Sequence, residues 1–505
     1  MKGGSDLTRQ IAVRLDSPAP LIVEGLPLDR DLLTAVYRQR GNAPIWQSRP
    51  EWPAALAGAL AASDDEGIPS DSLGLSAVRR ALTDSELGSV ERELVLTDRF
   101  LAYGAALARG RIAIASIEAD WALPPPFFDP GAAVAQLSAI GPAGALQGML
   151  PATAEYWNLR ASLARYRRIA AAGGWESLPA GPILHLGDTG AAVRQLRRRL
   201  AAEGELPINL AVGEAFDARL AGALAAFQKR HGLLTDGRLG PATAAALNVT
   251  AADRAEQIRV NLERLRALPR YWPASRIEVQ AASQTLVYFR DGKPVLRSRV
   301  IVGQPIHPTP VLAASVQQVI LDPAWEVPTS ILRQEIAPRL GRDPGYLARN
   351  HYVVPAPGRL RQLPGPWNAL GSVVLDMPNP FDVYMHDTPA RQLFALPERA
   401  LSHGCVRVEA VRDLASALLG TPLPPPGGPT RAVPLPTPVP VYFLYQTAFS
   451  DDGGGVNFRA DIYGRDAKLA AALAALDHGS RPPTVPALVA EKSCPGIATL
   501  ASLGP

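Results

Sequence analysis

The apolar spacing of this chain changes once. Up to Arg266, apolar residues recur at helical intervals, as in Asp31 to Arg40, Trp52 to Ser63 and Val95 to Arg109, the three-to-four spacing that gives a helix one buried stripe. From Arg276 the text turns to short β-branched and alternating blocks. These are Arg276-Ile277-Glu278-Val279 and Thr285-Leu286-Val287-Tyr288-Phe289 with Asp291-Gly292 as a hairpin signal, then 295–303, 316–321, 372–376, 382–386 and 441–447. The 505 residues exceed what one hydrophobic core holds, about 250 to 300. We therefore expect an α+β multidomain protein with its helical and β-rich parts segregated along the chain.

Gly173-Gly174 and Pro179-Ala180-Gly181-Pro182 form a breaker-rich joint, which separates an all-α scaffold domain at 20–172 from a small three-helix domain at 180–250. In the small domain Asp188 and Thr243 stand where helix starts need side-chain caps, and Gly187, Gly190 and Gly240 allow tight turns. A helical connector then leads to a β-rich domain at 274–475. Within it, residues 322–372 are long for a connection inside a compact domain and hold a short helix around Ile331 to Arg339. The proline-dense stretch Gly420 to Pro440 reads as a stiff extended connector. Residues 480–505 read as disordered. Asp451-Asp452-Gly453-Gly454-Gly455 lacks the spaced ligands of a calcium loop and reads as a hairpin turn.

The balance of 47% hydrophobic and 19% charged residues suits a folded protein, and a net charge of +4 without long basic runs argues against a nucleic-acid partner. No run of eighteen apolar residues marks an integral membrane segment, and Met1 to Asp6 lacks the apolar core of a secretory signal. The seven histidines form no His-x-x-His and the two cysteines no Cys-x-x-Cys, so no metal site is indicated. Without a phosphate-binding glycine fingerprint no cofactor is expected.

The chemistry gathers in Ser402-His403-Gly404-Cys405-Val406-Arg407, with His386 upstream in Tyr384-Met385-His386-Asp387-Thr388-Pro389. A Cys in a small-residue turn and a separate imidazole are the parts of thiol acyl transfer. The thiolate needs an imidazole, a cation or a positive helix end beside it. His386, Arg407 and a helix expected after Cys405 are the candidates. On a strand Tyr384 and His386 share a face, so both point into one cleft. His386 is the expected base, and His403 is expected to shape the turn. The amides of Gly404 and Cys405, with the Tyr384 hydroxyl, are the expected oxyanion donors. Ser402 bonds locally, and Arg407 either pairs a substrate carboxylate or braces the turn. Cys494 reads as an incidental free thiol, since pairing it with Cys405 would block the nucleophile.

These residues resemble the signature of the L,D-transpeptidases, the YkuD-like cysteine enzymes of peptidoglycan cross-linking, in their large multidomain periplasmic type. Asp322-Pro323-Ala324-Trp325-Glu326-Val327-Pro328, Asp343-Pro344-Gly345-Tyr346-Leu347, Pro364 to Gly371 and Asp461-Ile462-Tyr463-Gly464-Arg465-Asp466 extend the likeness, and 184–249 resembles a peptidoglycan-binding domain. The resemblance implies a lid at 322–372, Trp325 among the substrate-binding residues, and the Asp387 backbone carbonyl, at a place where the family commonly has Gly, fixing the His386 tautomer. It implies attack of Cys405 on the third residue of a tetrapeptide stem, loss of D-Ala, and transfer to an amine of a second stem as a 3-3 cross-link. It also implies carbapenem acylation, stem peptides and possible other cell-wall enzymes as partners, and an export signal trimmed or missed upstream. A stem-trimming L,D-carboxypeptidase and a catalytically degenerate wall-binding scaffold are the alternatives.

Overall fold

Residues 2–451 and 453–479 are described by the computed structural model; the expectations for the 480–505 tail and Cys494 lie outside them. The amino-terminal domain is helical, but its core begins earlier than residue 20. Leu7, Ile11 and Leu15 of the helix Lys2–Asp16 pack with Leu33, Leu56, Val78 and Phe100 of later helices. Asp29 caps the next helix by accepting from Leu32 N–H, as a helix start requires. The strands of this domain among the described residues are the short hairpin Ile22–Val23 and Leu26–Pro27, and Trp121 makes an isolated bridge to Val311 of the β domain. Among the described residues no helix is long and apolar enough to cross a membrane.

The small domain is built from helices Ala191–Ala202, Ala218–Arg230 and Pro241–Asn248 around Val193, Leu196, Leu224, Phe227 and Leu247. Two of the expected caps are elsewhere. Asp188 accepts from His185 N–H in the preceding turn, and Thr243 lies inside its helix, where its hydroxyl accepts from Gln228. The cap is Asp217, which takes Leu220 N–H at 2.8 Å. Asp188 missed its role because Gly190 itself opens the helix.

The connector Ala251–Arg266 is a buried spine. Arg254, Arg259, Asn261, Glu263, Arg264 and Arg266 on it are all buried, so each charge needs a partner. Arg266 pairs with Glu263 and donates to Tyr156 Oη, while Arg259 and Arg264 reach Asp477 and Asp466 of the helix Arg465–Asp477. The spine thereby ties the scaffold domain to the end of the β domain.

The β domain runs, in chain order, β1 Arg276–Gln280, β2 Thr285–Arg290, β3 Lys293–Gly303 and β4 Leu312–Leu321, then the inserted strands β5 Trp325–Val327, β6 Tyr352–Ala356 and β7 Arg359–Gln362. It continues with β8 Val373–Asp376, β9 Met385–His386, β10 Ala400–Ser402, β11 Val406–Val408, β12 Arg431–Leu444 and the hairpin β13 Ala448–Ser450 and β14 Val456–Phe458. The strand order β3-β11-β9-β8-β4-β12-β1-β2 closes on itself because β2 also pairs with β3, and β10 lies along the end of β3. Closure removes the exposed sheet edge. Alternation sends Ile277, Val279, Val300, Val302, Met385 and Val406 to the main core.

The proline-dense stretch is a strand over half its length. From Arg431 the chain pairs antiparallel with β4, skips Leu435 to Pro438 in a bulge, and resumes at Val439. Prolines fit there because a bulge leaves residues out of the ladder. Asp451 accepts from the amides of Gly453 and Gly455 in the turn of the β13–β14 hairpin.

Candidate active site

β9 and β11 are parallel neighbours with Met385 opposite Val406 and His386 opposite Arg407. Val406 N–H donates to Tyr384 O at 3.0 Å, which carries the register back to Tyr384 beside Cys405. In-register residues on adjacent strands share a face. Since Met385 and Val406 face the main core, Tyr384, His386, Cys405 and Arg407 stand together on the opposite face. Tyr384 and Cys405 pack there with Ile320, Leu370 and Val374. The Tyr384 and His386 rings meet edge to face, 5.5 Å between centroids. The structure thus brings together the four side chains that the sequence placed there.

The inserted residues are a small subdomain and not an open loop. β5, β7 and β6 form a three-stranded sheet, whose Val327 and Leu360 pack with Ile336 of a helical run from Thr329 to Leu340 that contains a π-helical turn. Asp322 anchors its stem by accepting from Gly427 and Gly428 N–H. Trp325 packs in both the lid core and the Cys405 cluster. His403, expected to shape the turn and to stand among the substrate-binding residues, reaches into the lid: its Nε2 is 2.7 Å from Glu335.

Cys405 is 5% exposed. The helix expected directly after Cys405 is displaced. Strand β11 intervenes and the helix begins only at Val411. A β-branched Val on each side of Arg407 favours strand over helix there.

His386 is buried and neutral. Burial pushes its pKa down to about 3, the nearby Arg407 cation adds to the effect, and the backbone oxygens of Asp387 and Leu370 oppose it. Nδ1 makes no hydrogen bond of good geometry among the described residues, while the Asp387 backbone oxygen, the expected holder of the tautomer, still acts on the ring. The Asp387 carboxylate is occupied elsewhere, accepting from Ser372 N–H and Oγ and from Arg391. Arg407 is largely buried, which lowers its pKa, and its Nε has no hydrogen-bond partner. It does not brace the turn through that nitrogen. Burial raises the Tyr384 hydroxyl well above its usual range, with the Trp325 hydrogen bond opposing.

The turn is held locally, as expected for Ser402. Its Oγ donates to Cys405 O at 2.5 Å and accepts from Gly404 N–H at 3.2 Å. That engagement corrects the reading of Gly404 as an oxyanion donor. Gly404 has φ +109°, a conformation that side chains avoid. The sequence missed Thr309, whose hydroxyl holds Gly404 O; it stands in no motif, so nothing local marked it.

These features define a lidded β-barrel enzyme domain joined to two helical modules. Residues 274–441 match the family model of the L,D-transpeptidase catalytic domain, 31–163 that of a scaffold domain, and 189–247 that described as "Putative peptidoglycan binding domain". Over residues 274–441 the chain is thus similar to the L,D-transpeptidase catalytic domain. A Haemophilus influenzae protein named "Putative L,D-transpeptidase" is 34% identical over 244 residues, covering 42% of this chain and 49% of that protein. The chain thus spans about half the length of the curated relative it matches. Among solved structures, the L,D-transpeptidase of Xylanimonas cellulosilytica (residues 123–326) is 20% identical, covering 53% of this chain and 99% of that one, with a TM-score of 0.21. An L,D-transpeptidase from Stackebrandtia nassauensis is 14% identical, covering 53% and 96%, with a TM-score of 0.23. Scores this low decide nothing about the backbone.

Proposed function

We propose that this chain is a cysteine L,D-transpeptidase that forms 3-3 peptidoglycan cross-links outside the cytoplasmic membrane. The observation that carries the reading is the shared face of Cys405, His386, Tyr384 and Arg407 beneath the lid. The Cys405 sulfur adds to the carbonyl of the third stem residue. The C–N bond to D-Ala breaks, leaving a thioester. His386 takes the thiol proton and passes it to the departing amine; the new thiolate beside it raises its proton affinity from the resting value. A side-chain amine of a second stem then displaces the sulfur, and the proton that this amine sheds passes through His386 to restore the thiol.

Cys405 N–H and the Tyr384 hydroxyl are assigned to the developing oxyanion. Arg407, a cation with an unsatisfied buried Nε, is assigned to a stem carboxylate, which it suits through its planar fork of donors. Trp325 and His403 line the approach from the lid. The helical module at 189–247 is assigned to holding the wall. Incubation of the reduced full-length protein with defined tetrapeptide muropeptide, followed by mass spectrometry, tests the reading. Cross-linked dimers with released D-Ala support it, and trimmed monomers alone would make the protein a carboxypeptidase.

A further inference from the structure

Thr309 is fully buried between the end of β3 and the Cys405 turn. Its Oγ1 donates to Gly404 O at 2.8 Å and accepts from Gly303 N–H at 2.9 Å. Its N–H donates to Tyr463 Oη at 3.3 Å, and that hydroxyl donates to Gly303 O at 2.7 Å. Tyr463 is held in its turn, since its N–H donates to Tyr445 Oη at 3.1 Å and Tyr445 donates to Asp461 at 2.7 Å. A Cβ on Gly303 would lie 2.0 Å from His307 O and 3.0 Å from Gly404 Cα, so two backbones touch at this point. A chain of buried hydroxyls therefore runs from the carboxy-terminal segment to the peptide that precedes the sulfur.

That peptide is the relevant one. In a trans peptide the C=O and N–H lie in one plane and point opposite ways, and the Gly404 carbonyl shares its plane with the Cys405 N–H. Fixing the carbonyl fixes the direction of the amide. Gly404 cannot fix it alone, because glycine at positive φ is the residue with the least torsional restraint. A hydrogen bond to the carbonyl also polarises the peptide and strengthens its N–H as a donor. With Gly404 N–H given to Ser402, the donor role beside the sulfur falls to Cys405 N–H.

We propose that Thr309, braced by Tyr463, is a positioning residue that aims the Cys405 amide at the oxyanion formed when the sulfur adds to a carbonyl. This rests on the acyl-transfer reading. Loss of a whole oxyanion donor slows such reactions by about 10²- to 10³-fold, and misdirecting one is expected to slow acylation about 10- to 100-fold.

Two reagents on the reduced full-length protein separate aim from mere structure. A carbapenem acylates through a tetrahedral oxyanion, whereas iodoacetamide alkylates sulfur at a saturated carbon and forms none. Thr309→Val is expected to slow carbapenem acylation while leaving Cys405 alkylation within about twofold, Tyr463→Phe to do the same more weakly, and Thr309→Ser to restore the rate. If Thr309→Val does not fold, Tyr463→Phe and Thr309→Ser carry the test. Equal slowing of both reagents, or unchanged acylation in the variants, overturns the inference. A wild-type protein that alkylates at Cys405 yet never acylates overturns the acyl-transfer reading instead.

Discussion

His403 of the cysteine turn and Glu335 of the lid meet through Nε2 and a carboxylate oxygen at 2.7 Å. The pair bridges the turn and the lid beside Trp325, which packs against both. Both side chains are about one-third exposed, so the contact is worth roughly 0.2 to 1 kcal/mol. Glu335→Gln is expected to speed deuterium exchange in residues 329–340 by about two- to fivefold. The same change is expected to raise hydrolysis relative to transfer, because an opened lid admits water. An unchanged product ratio with faster exchange would show that the lid moves without governing the acceptor.

Carbapenem acylation is expected at Cys405 and not at Cys494, as a mass shift of the protein that Cys405→Ser removes, with peptide mapping to fix the position. A shift that survives Cys405→Ser would place the reactive group elsewhere.

His386 gives the barrel a pH dependence of definite sign. Its pKa lies near 3 when folded and near 6.5 in an unfolded chain, so between these values the unfolded state binds more protons. Stability is therefore present above pH 6.5 and is lost as pH falls toward 3. For the native residue the loss from pH 7 to pH 5 is about 2 kcal/mol. Urea denaturation followed by a probe in the barrel is expected to show this fall, and His386→Gln to remove most of it. A variant with the same pH dependence would place the titrating group elsewhere.

Arg407 stands on the Cys405 face with no hydrogen-bond partner for its buried Nε among the described residues. If it pairs a stem carboxylate, Arg407→Lys loses the bidentate fork while keeping charge. The expected result is a roughly 10- to 100-fold lower kcat/KM, mostly in KM, since charge-assisted hydrogen bonds contribute about 1.5 to 3 kcal/mol. Steady-state rates against tetrapeptide and against the same stem amidated at its carboxylates check it. Equal losses on both substrates would assign Arg407 to the turn.

The sequence made the site legible because its side chains lie within two short strands. Period-two alternation put Tyr384 and His386 on one face, and the Ser402 to Arg407 motif supplied the rest. What escaped it were interactions across chain distance. Thr309 lies 95 residues from the Gly404 carbonyl it holds, and Glu335 is one of many acidic residues until the lid folds. Composition also misled at residues 431–440, where prolines signal a linker; the bulge at Leu435 to Pro438 lets them sit in β12. The connector helix read as amphipathic spacing, yet it is buried from Ile258 to Arg266, where Arg259 and Arg264 reach Asp477 and Asp466 and Arg266 pairs with Glu263.

Glu203 shows how far the small helical module is fused to the rest. Its carboxylate is fully buried at the end of the helix Ala191–Ala202, 2.9 Å from Arg199 Nη1 and 3.1 Å from Arg230 Nη2, and it accepts from the Tyr166 hydroxyl of the scaffold domain at 2.6 Å. Burial alone would raise its pKa, but the two guanidiniums overcome that and hold it well below the carboxylate range. Arg230 also donates to Val456 O of the β14 strand, and His231 stacks on Phe458. One carboxylate therefore compensates cations that join module, scaffold and barrel. Glu203→Ala strands them, a loss expected to cost about 3 to 5 kcal/mol. Limited proteolysis is expected to open the joint at 173–182, and small-angle scattering to show a larger radius of gyration. Cross-linking is expected to fall on intact sacculi more than on soluble muropeptides, since the barrel site itself stays assembled. Equal loss on both substrates would mean that undocking reaches the Cys405 face, and no proteolytic opening would mean that the apolar contacts hold the module unaided.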